Sequence, residues 1–586
     1  MMTNVRIEAL RKAMTDNKID VYYLNTSDYH MSEYVPLHFK TIEYFSGFTG
    51  SLATLLVDQE KAYIFVDGRY HGQADKQCLE NGVTVVKLGT AGALNPLEFI
   101  KENYAGKIIG LDGKRTSVSF GKKMKELGLK IRSKDIYSDL IENRIPLVSD
   151  KLFKLDDEYT GKTRKEKLND LIYCLDGRTH LVNNLESIAY LLNLRGNDIV
   201  YTPVFLAYLV VYQNDVYFFI DLERLSSDIL DELYADGIII KPYKEYYSFL
   251  KTIRGETVIL DENKVNFESY LSLTNRKNKF VHTISPVEEM KSIKNDVEIK
   301  NSIQAHIYDG VAMVRFLKWL DESDKEELNE YLVSEKLKEF RLGYKAFDLS
   351  FNSIVAVNAN AAMMHYGPTA ENNSPLTKDG IILVDSGGQY KEGTTDITRT
   401  IALGETSAEF KKHFTLVLKS MFNLSELKFM KGLVGKDIDI LARKDIWEIG
   451  IDYRCGTGHG VGHVLSVHEG PPNIRYMHTE AGTELVPLKK GNIVSDEPGI
   501  YLEGKYGIRS ENMLLVVEDE LNEYGQFMKF KTLTMCPFDL RLIDKEYLDK
   551  KTIEALNNYH KEVYENLAPY LNEDEKEYLK KVTRAI

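Results

Sequence analysis

Cysteine is scarce in this chain. Four residues, Cys78, Cys174, Cys455 and Cys536, are spread over 586 positions. None stands at the close spacing of a metal finger, which excludes that class of site and fits a reducing compartment. Long apolar runs are also missing. No segment approaches about eighteen uninterrupted apolar residues, and the stretch from Met1 to Glu8 lacks the apolar heart of a signal peptide. Nor is any block of lysine and arginine dense enough to track a phosphate backbone, and the net charge is −13. Nucleic acid is therefore a poor partner. Together these absences predict a cytoplasmic protein with neither membrane nor nucleic acid as partner.

What is present describes a globular chain. Hydrophobic residues make up 43% and charged residues 28%, and the mean hydropathy is −0.30, so long disordered stretches are not expected. At 586 residues one hydrophobic core is too few, and two to four domains are predicted. The chain opens with an amphipathic helix pattern from Arg6 to Asn17 and a strand-like Asp20 to Leu24. Leu52 to Val57 and Ala62 to Tyr70, joined by the turn Asp58 to Lys61, then read as a hairpin.

About 150 residues later the same order returns. A helix pattern runs from Thr163 to Leu175, and Val204 to Tyr212 is followed by the turn Gln213 to Asp215 and by Val216 to Asp221. Two related α/β domains, residues 1–150 and 151–284, are expected, with chance likeness of two α/β units as the alternative. A third region, 285–586, opens on Ser285-Pro286-Val287-Glu288, a cap, a first-turn proline and a capping-box acid. One long helix should follow, with Ile293, Val297, Ile303, Ile307, Val311, Val314 and Leu317 on one face. Strands are predicted at 381–384, 397–403, 492–495 and 513–518. A covering helix is predicted over 408–428, and a helical cover from Lys545 onward.

Five residues of this third region form a constellation. Asp385 ends the apolar run Ile381 to Val384, and Asp396 lies eleven positions on, in Thr394-Thr395-Asp396-Ile397-Thr398-Arg399. His459 sits in Gly456-Thr457-Gly458-His459-Gly460-Val461-Gly462, Glu497 in Ser495-Asp496-Glu497-Pro498-Gly499, and Glu511 in Gly507-Ile508-Arg509-Ser510-Glu511-Asn512. A single Asp closing a strand is more often a turn former. Four hard carboxylates and one imidazole together can hold two divalent ions that share a water and acidify it, which implies metal-assisted hydrolysis. The oxygen-rich donors favour manganese or a similar ion over a thiolate-preferring zinc site.

These motifs resemble the pita-bread metallopeptidases, and among them the Xaa-Pro aminopeptidases of the three-domain cytosolic type. The likeness extends upstream to Ser46-Gly47-Phe48-Thr49-Gly50-Ser51, Asp67-Gly68-Arg69-Tyr70, Asn193-Leu194-Arg195-Gly196 and Pro203-Val204-Phe205. The resemblance implies an α/β fold of two creatinase N-terminal-like domains followed by a pita-bread catalytic domain. It implies a dinuclear hydrolase releasing the first residue from peptides with proline second. Its metal ligands would be Asp385, Asp396, His459, Glu497 and Glu511, usually for Mn2+, with Co2+ or Zn2+ as other candidates. Glu497 would also carry the proton from water to the leaving proline nitrogen.

By the same matching, His365 and His468 would contact substrate and stabilise the oxyanion; ordinary structural histidines are the alternative. Arg509 would orient a ligand carboxylate, unless it is a surface arginine. Arg69 would contact substrate, reaching the site of a second subunit in a homodimer, unless it makes only local turn contacts. Cys455 stands where some relatives carry a histidine, and an inert packed thiol or an oxidisable modulator are both open. His463 would be a bystander. A prolidase cleaving Xaa-Pro dipeptides, and a catalytically inactive peptide-binding scaffold, are the competing readings.

Overall fold

The computed structural model describes residues 2–478 and 482–586. They form two compact units: residues 2–155 with 162–287, and residues 156–161 with 288–478 and 482–586.

The first unit holds two six-stranded sheets. One contains β1 (Val21–Asn25), β2 (Thr54–Asp58), β3 (Ala62–Val66), β4 (Thr84–Lys87), β5 (Ile108–Leu111) and β6 (Lys130–Ser133), in the order β4-β3-β2-β1-β5-β6. The second contains β7 (Thr179–Val182), β8 (Tyr208–Tyr212), β9 (Asp215–Ile220), β10 (Ile239–Pro242), β11 (Thr257–Leu260) and β12 (Lys279–His282), in the order β10-β9-β8-β7-β11-β12. Adding six to each strand number of the first sheet gives the second. The senses also repeat, with two antiparallel pairs at the centre and parallel pairs outside. The echo in the sequence is thus a repeated topology.

Strand β1 shows why these segments read as unbroken apolar runs. Tyr22 and Leu24 face the core built with Ile7, Leu10 and Met14 of the first helix, whereas Val21 and Tyr23 face a second core with Ile109 and Met124. Both faces are dry, so alternation disappears. At the β8–β9 turn, Gln213 and Asn214 both adopt positive φ, the backbone that a tight hairpin needs. The strand pairing there starts at Tyr208, four residues later than the sequence pattern suggests.

The single helix predicted from Pro286 is two. The first is Pro286–Ser292 and the second is α1 (Asp296–Glu322). The chain breaks because Lys294 N–H is taken by Gly491 O at 2.9 Å, and Asn295 caps α1 by accepting from the amides of Val297 and Glu298. Glu288 pairs with Lys291 at 3.2 Å. After α1 and α2 (Glu330–Leu342) come three antiparallel strands, β13 (Ile354–Val357), β14 (Ile381–Ser386) and β15 (Ile397–Ala402), with β14 in the middle.

Strand β14 is also buried on both faces. Ile382 and Val384 pack with Met313 and Phe316 of α1 and Val333 and Leu337 of α2. Ile381 and Leu383 pack with Phe414, Val417 and Met421 of α3 (Ala408–Ser425). Beyond α4 (Gly435–Trp447) lie β16 (Ile493–Asp496) and the hairpin of β17 (Gly499–Leu502) and β18 (Tyr506–Arg509). They are followed by β19 (Asn512–Asn522), β20 (Gly525–Thr532), α5 (Lys550–Leu567) and α6 (Glu573–Val582). Strand β19 lies between β16 and β20. Among the described residues no helix is long and apolar enough to cross a membrane.

Candidate metal centre

Pairing in the two sheets brings distant residues together. Asp385 on β14 stands opposite Ile354 of β13 and Thr398 of β15, and Asp396 immediately precedes β15. From the other sheet, Glu497 follows β16 and Glu511 precedes β19, where Asp496 pairs with Asn512. The two sheets meet where Glu511 N–H approaches Thr398 O at 3.3 Å, and Glu497 N–H donates to Thr457 O of the His459 loop at 2.8 Å. Strand ends hold their side chains stiffly, as coordination requires.

His459 needs its glycines. A Cβ on Gly458 would lie 2.0 Å from Ser495 O, and one on Gly460 would lie 2.1 Å from Glu469 O, so only glycine allows the loop to press onto β16. Once there, His459 N–H donates to Ser495 Oγ at 2.9 Å. Its Nδ1 lies 2.9 Å from Gly460 O. A carbonyl can only accept, so the ring proton sits on Nδ1 and the Nε2 lone pair points away. Nε2 lies 3.3 Å from Glu497 Oε1 and 3.6 Å from Asp396 Oδ2.

Donor atoms of Asp396, His459 and Glu511 all fall within 4.8 Å of one another. Asp385 receives a short bond from Arg509 Nη2. The same guanidinium donates from Nε to Thr398 Oγ1 at 3.0 Å and from Nη1 to the Tyr501 hydroxyl at 2.7 Å. Thr398 then donates to Glu511 Oε2 at 2.7 Å, so one arginine reaches two of the acids. Burial pushes the Asp396 carboxyl up, and the charges of Glu511, Asp385 and Glu497 add to the shift. Burial likewise raises Glu511, with Glu497 and Asp385 adding. Glu497 is pushed up to about 7, first by burial and then by Asp385, against the pull of Arg509. Four carboxylates face one guanidinium, a set that divalent cations would neutralise.

The remaining sequence candidates are placed as follows. The His468 ring stands edge-on to His459 at 4.3 Å between centroids. His365 is exposed, eleven residues after Ile354. Arg69, in the other unit, is gripped by Asp67, with Nη2 to Oδ2 at 2.8 Å. Cys455 is half-buried and packs at the edge of the large core, and its carbonyl accepts from Arg443. His463 is buried, with Nε2 at 2.9 Å from Tyr159 O.

Three features escaped sequence reasoning. One is the β17–β18 hairpin, which brings Tyr501 and Arg509 to the centre. Another is the buried cluster in which Glu469, next to His468, takes both Lys291 and Lys294. The third is Arg399, fully buried and stacked 3.9 Å over the Phe538 ring. It donates to the carbonyls of Glu511, Thr398, Pro537 and Cys536, to Asn512 Oδ1, and to the Tyr559 hydroxyl on α5 at 3.0 Å. The glycines around His459 were a signal for close approach; nothing local marked the others.

Comparison with known proteins gives the family. The pattern of metallopeptidase family M24 matches residues 301–518, and that of its C-terminal region matches 526–586. Two creatinase/prolidase N-terminal domain patterns match 6–142 and 143–298. A probable Xaa-Pro aminopeptidase P of Pyrenophora teres f. teres is 36% identical over 98% of this chain and 91% of its own length. Xaa-Pro aminopeptidase 1 of Dictyostelium discoideum is 36% identical over 97% and 93%. The crystal structure of X-prolyl aminopeptidase from Caenorhabditis elegans, described as a cytosolic enzyme with a di-nuclear active site, is 30% identical. It superposes over 100% of both chains with a TM-score of 0.94. This chain belongs to the M24 metallopeptidases and, along its whole length, to their aminopeptidase P family.

Proposed function

We propose that the protein is an Xaa-Pro aminopeptidase, hydrolysing the bond between the first residue of a peptide and a proline in second position. The observation that carries this reading is the convergence of Asp396, His459 and Glu511 within 4.8 Å beside Asp385 and Glu497, in a chain alike from end to end to enzymes of that name. Asp385, Asp396, His459, Glu497 and Glu511 would hold two divalent ions. The donor set fits them, being mostly hard oxygen with one outward-facing Nε2. Manganese is the proposed metal, with Co2+ and Zn2+ within the range of these donors. Bound ions would supply Lewis acidity, lowering the pKa of water and polarising the scissile carbonyl.

The side chains supply the rest. Glu497, with Oε1 3.3 Å from His459 Nε2, is assigned to accept a proton from the attacking water and deliver it to the proline nitrogen. His468, edge-on to His459, and His365 are assigned to the developing oxyanion. Arg509 holds Asp385 and, through Thr398, Glu511. Arg69 joins the substrate-binding set on its sequence match, since its guanidinium is engaged by Asp67.

We also propose a cytoplasmic homodimer, with domain boundaries near residues 150 and 284. The dimer rests on the sequence match to the three-domain type and on the two N-terminal sheets, which carry none of the proposed metal ligands. Sedimentation at micromolar protein should give twice the chain mass.

The test of activity is hydrolysis of a tripeptide Xaa-Pro-Yaa beside the dipeptide Xaa-Pro, with Mn2+ or with a chelator. Release of the first residue from the tripeptide, abolished by chelation, is expected. Preference for the dipeptide would make the protein a prolidase, and a protein with no chelator-sensitive metal and no turnover would be a scaffold.

A further inference from the structure

Glu330 opens helix α2 and is fully buried. Its hydrogen bonds come from neutral groups and no lysine or arginine reaches it among the described residues. A carboxylate taken out of water without a cation is costly unless donors saturate it. Here four do. Oε1 accepts from Val357 N–H at 2.7 Å and Asn360 Nδ2 at 2.9 Å; Oε2 accepts from Ser374 N–H at 2.7 Å and the Tyr366 hydroxyl at 2.6 Å. The backbone of Glu330 also donates to Ser374 O at 3.0 Å.

All four donors belong to one segment, residues 357–374, and His365 sits inside it, next to Tyr366. The first turn of α2 favours the negative charge. Burial, and then the Glu330 carboxylate, raise the Tyr366 phenol above its ordinary range, so it stays a donor at working pH. The other side of the segment is pinned as well. A Cβ on Gly507 of β18 would lie 1.8 Å from Ala361 O, so the hairpin that ends in Arg509 presses on the backbone just ahead of His365. The histidine is exposed and inherits its position from the backbone that carries it.

We propose that Glu330 and Tyr366 are positioning residues for His365: Glu330 gathers the loop, and the Tyr366 bond sets the orientation of the neighbouring imidazole toward the substrate. The proposal rests on the reading of His365 as a substrate-contacting group. It adds to the aminopeptidase site two residues that touch no substrate.

The experiment is a double-mutant cycle on the manganese-loaded protein, with Xaa-Pro-Yaa hydrolysis, metal content and melting temperature read for each variant. Tyr366→Phe removes one donor and is expected to lower kcat roughly tenfold, with KM little changed and metal stoichiometry intact. His365→Ala is expected to lower kcat on the order of a hundredfold. In the His365→Ala background, adding Tyr366→Phe should cost nothing further, because the group it positions is gone. Glu330→Gln, which keeps the shape but loses the charge, should reproduce the Tyr366→Phe defect.

Full turnover by His365→Ala would remove the reading of that histidine, and this proposal with it. An impaired His365→Ala that loses the same further factor on adding Tyr366→Phe would leave His365 in place and overturn the positioning role alone. Undiminished turnover by Tyr366→Phe would also overturn it.

Discussion

Buried charge is handled in two opposite ways in this molecule. Through much of the frame a buried acid has its base: Asp198 with Arg224, Asp309 with Arg341 at 2.8 Å, Asp439 with Arg443 at 2.6 Å, and Glu469 with Lys291 and Lys294, while Glu330 is met by neutral donors instead. At the proposed centre four carboxylates share Arg509. The frame is neutralised by the chain itself, whereas the centre is left short of positive charge. Such a deficit costs stability unless something from outside repays it, so the contrast is itself an argument for bound cations.

Three experiments would break or sharpen that contrast. The largest effect is expected from Glu511→Gln or Asp396→Asn, with turnover falling on the order of a thousandfold and stoichiometric manganese lost. The metal-free Glu511→Gln protein should melt no lower than the metal-free parent, since a repelling charge is gone. A variant that kept both metal and turnover would mean the centre lies elsewhere.

Next in size is Arg341→Met. It leaves Asp309 buried without its base and should cost about 3–5 kcal/mol, seen as a lower melting temperature. Metal stoichiometry should not change. A silent Arg341→Met would erase the distinction between frame and centre.

The smallest effect is in pH. Glu497 titrates near 4.5 when unfolded and about 7 in the fold, and Asp396 and Glu511 are raised as well. The folded, metal-free protein therefore holds more protons than the unfolded chain between those values, so its stability should fall as pH rises from about 4.5 to 7. Manganese should flatten that slope, and loading near pH 6 should release protons, measurable in weakly buffered solution. A metal-free melting temperature that climbs over this range would contradict the raised carboxyls.

What could be read from the sequence follows from how local each signal is. Asp385 stood out because it ends a strand whose apolar run, Ile381 to Val384, is visible locally, and Asp396 because it follows eleven positions on at the start of the next strand. His459 stood out because its loop tolerates nothing but glycine at Gly458 and Gly460. The repeated sheets were legible through matching hairpins. Glu330 was not, because beside Glu326, Glu327 and Glu335 it looks like one more solvated acid. Its burial is decided by residues 27 to 44 positions away. The break at Lys294 was hidden for the same reason: Gly491, nearly two hundred residues on, takes the amide that would have continued the helix.

Arg399 ties the order of synthesis to the completion of the site. A growing chain that has emerged as far as Glu511 already carries every proposed ligand. It still lacks Cys536, Pro537, Phe538 and Tyr559, which cover the guanidinium braced against the Glu511 carbonyl. Without that stretch in place, the guanidinium would be uncovered and short of half its acceptors, and the Glu511 carbonyl would lose its brace. The backbone behind the last proposed ligand is thus held by chain that lies 25 to 48 residues beyond it, so the centre is completed by residues that carry none of its donors.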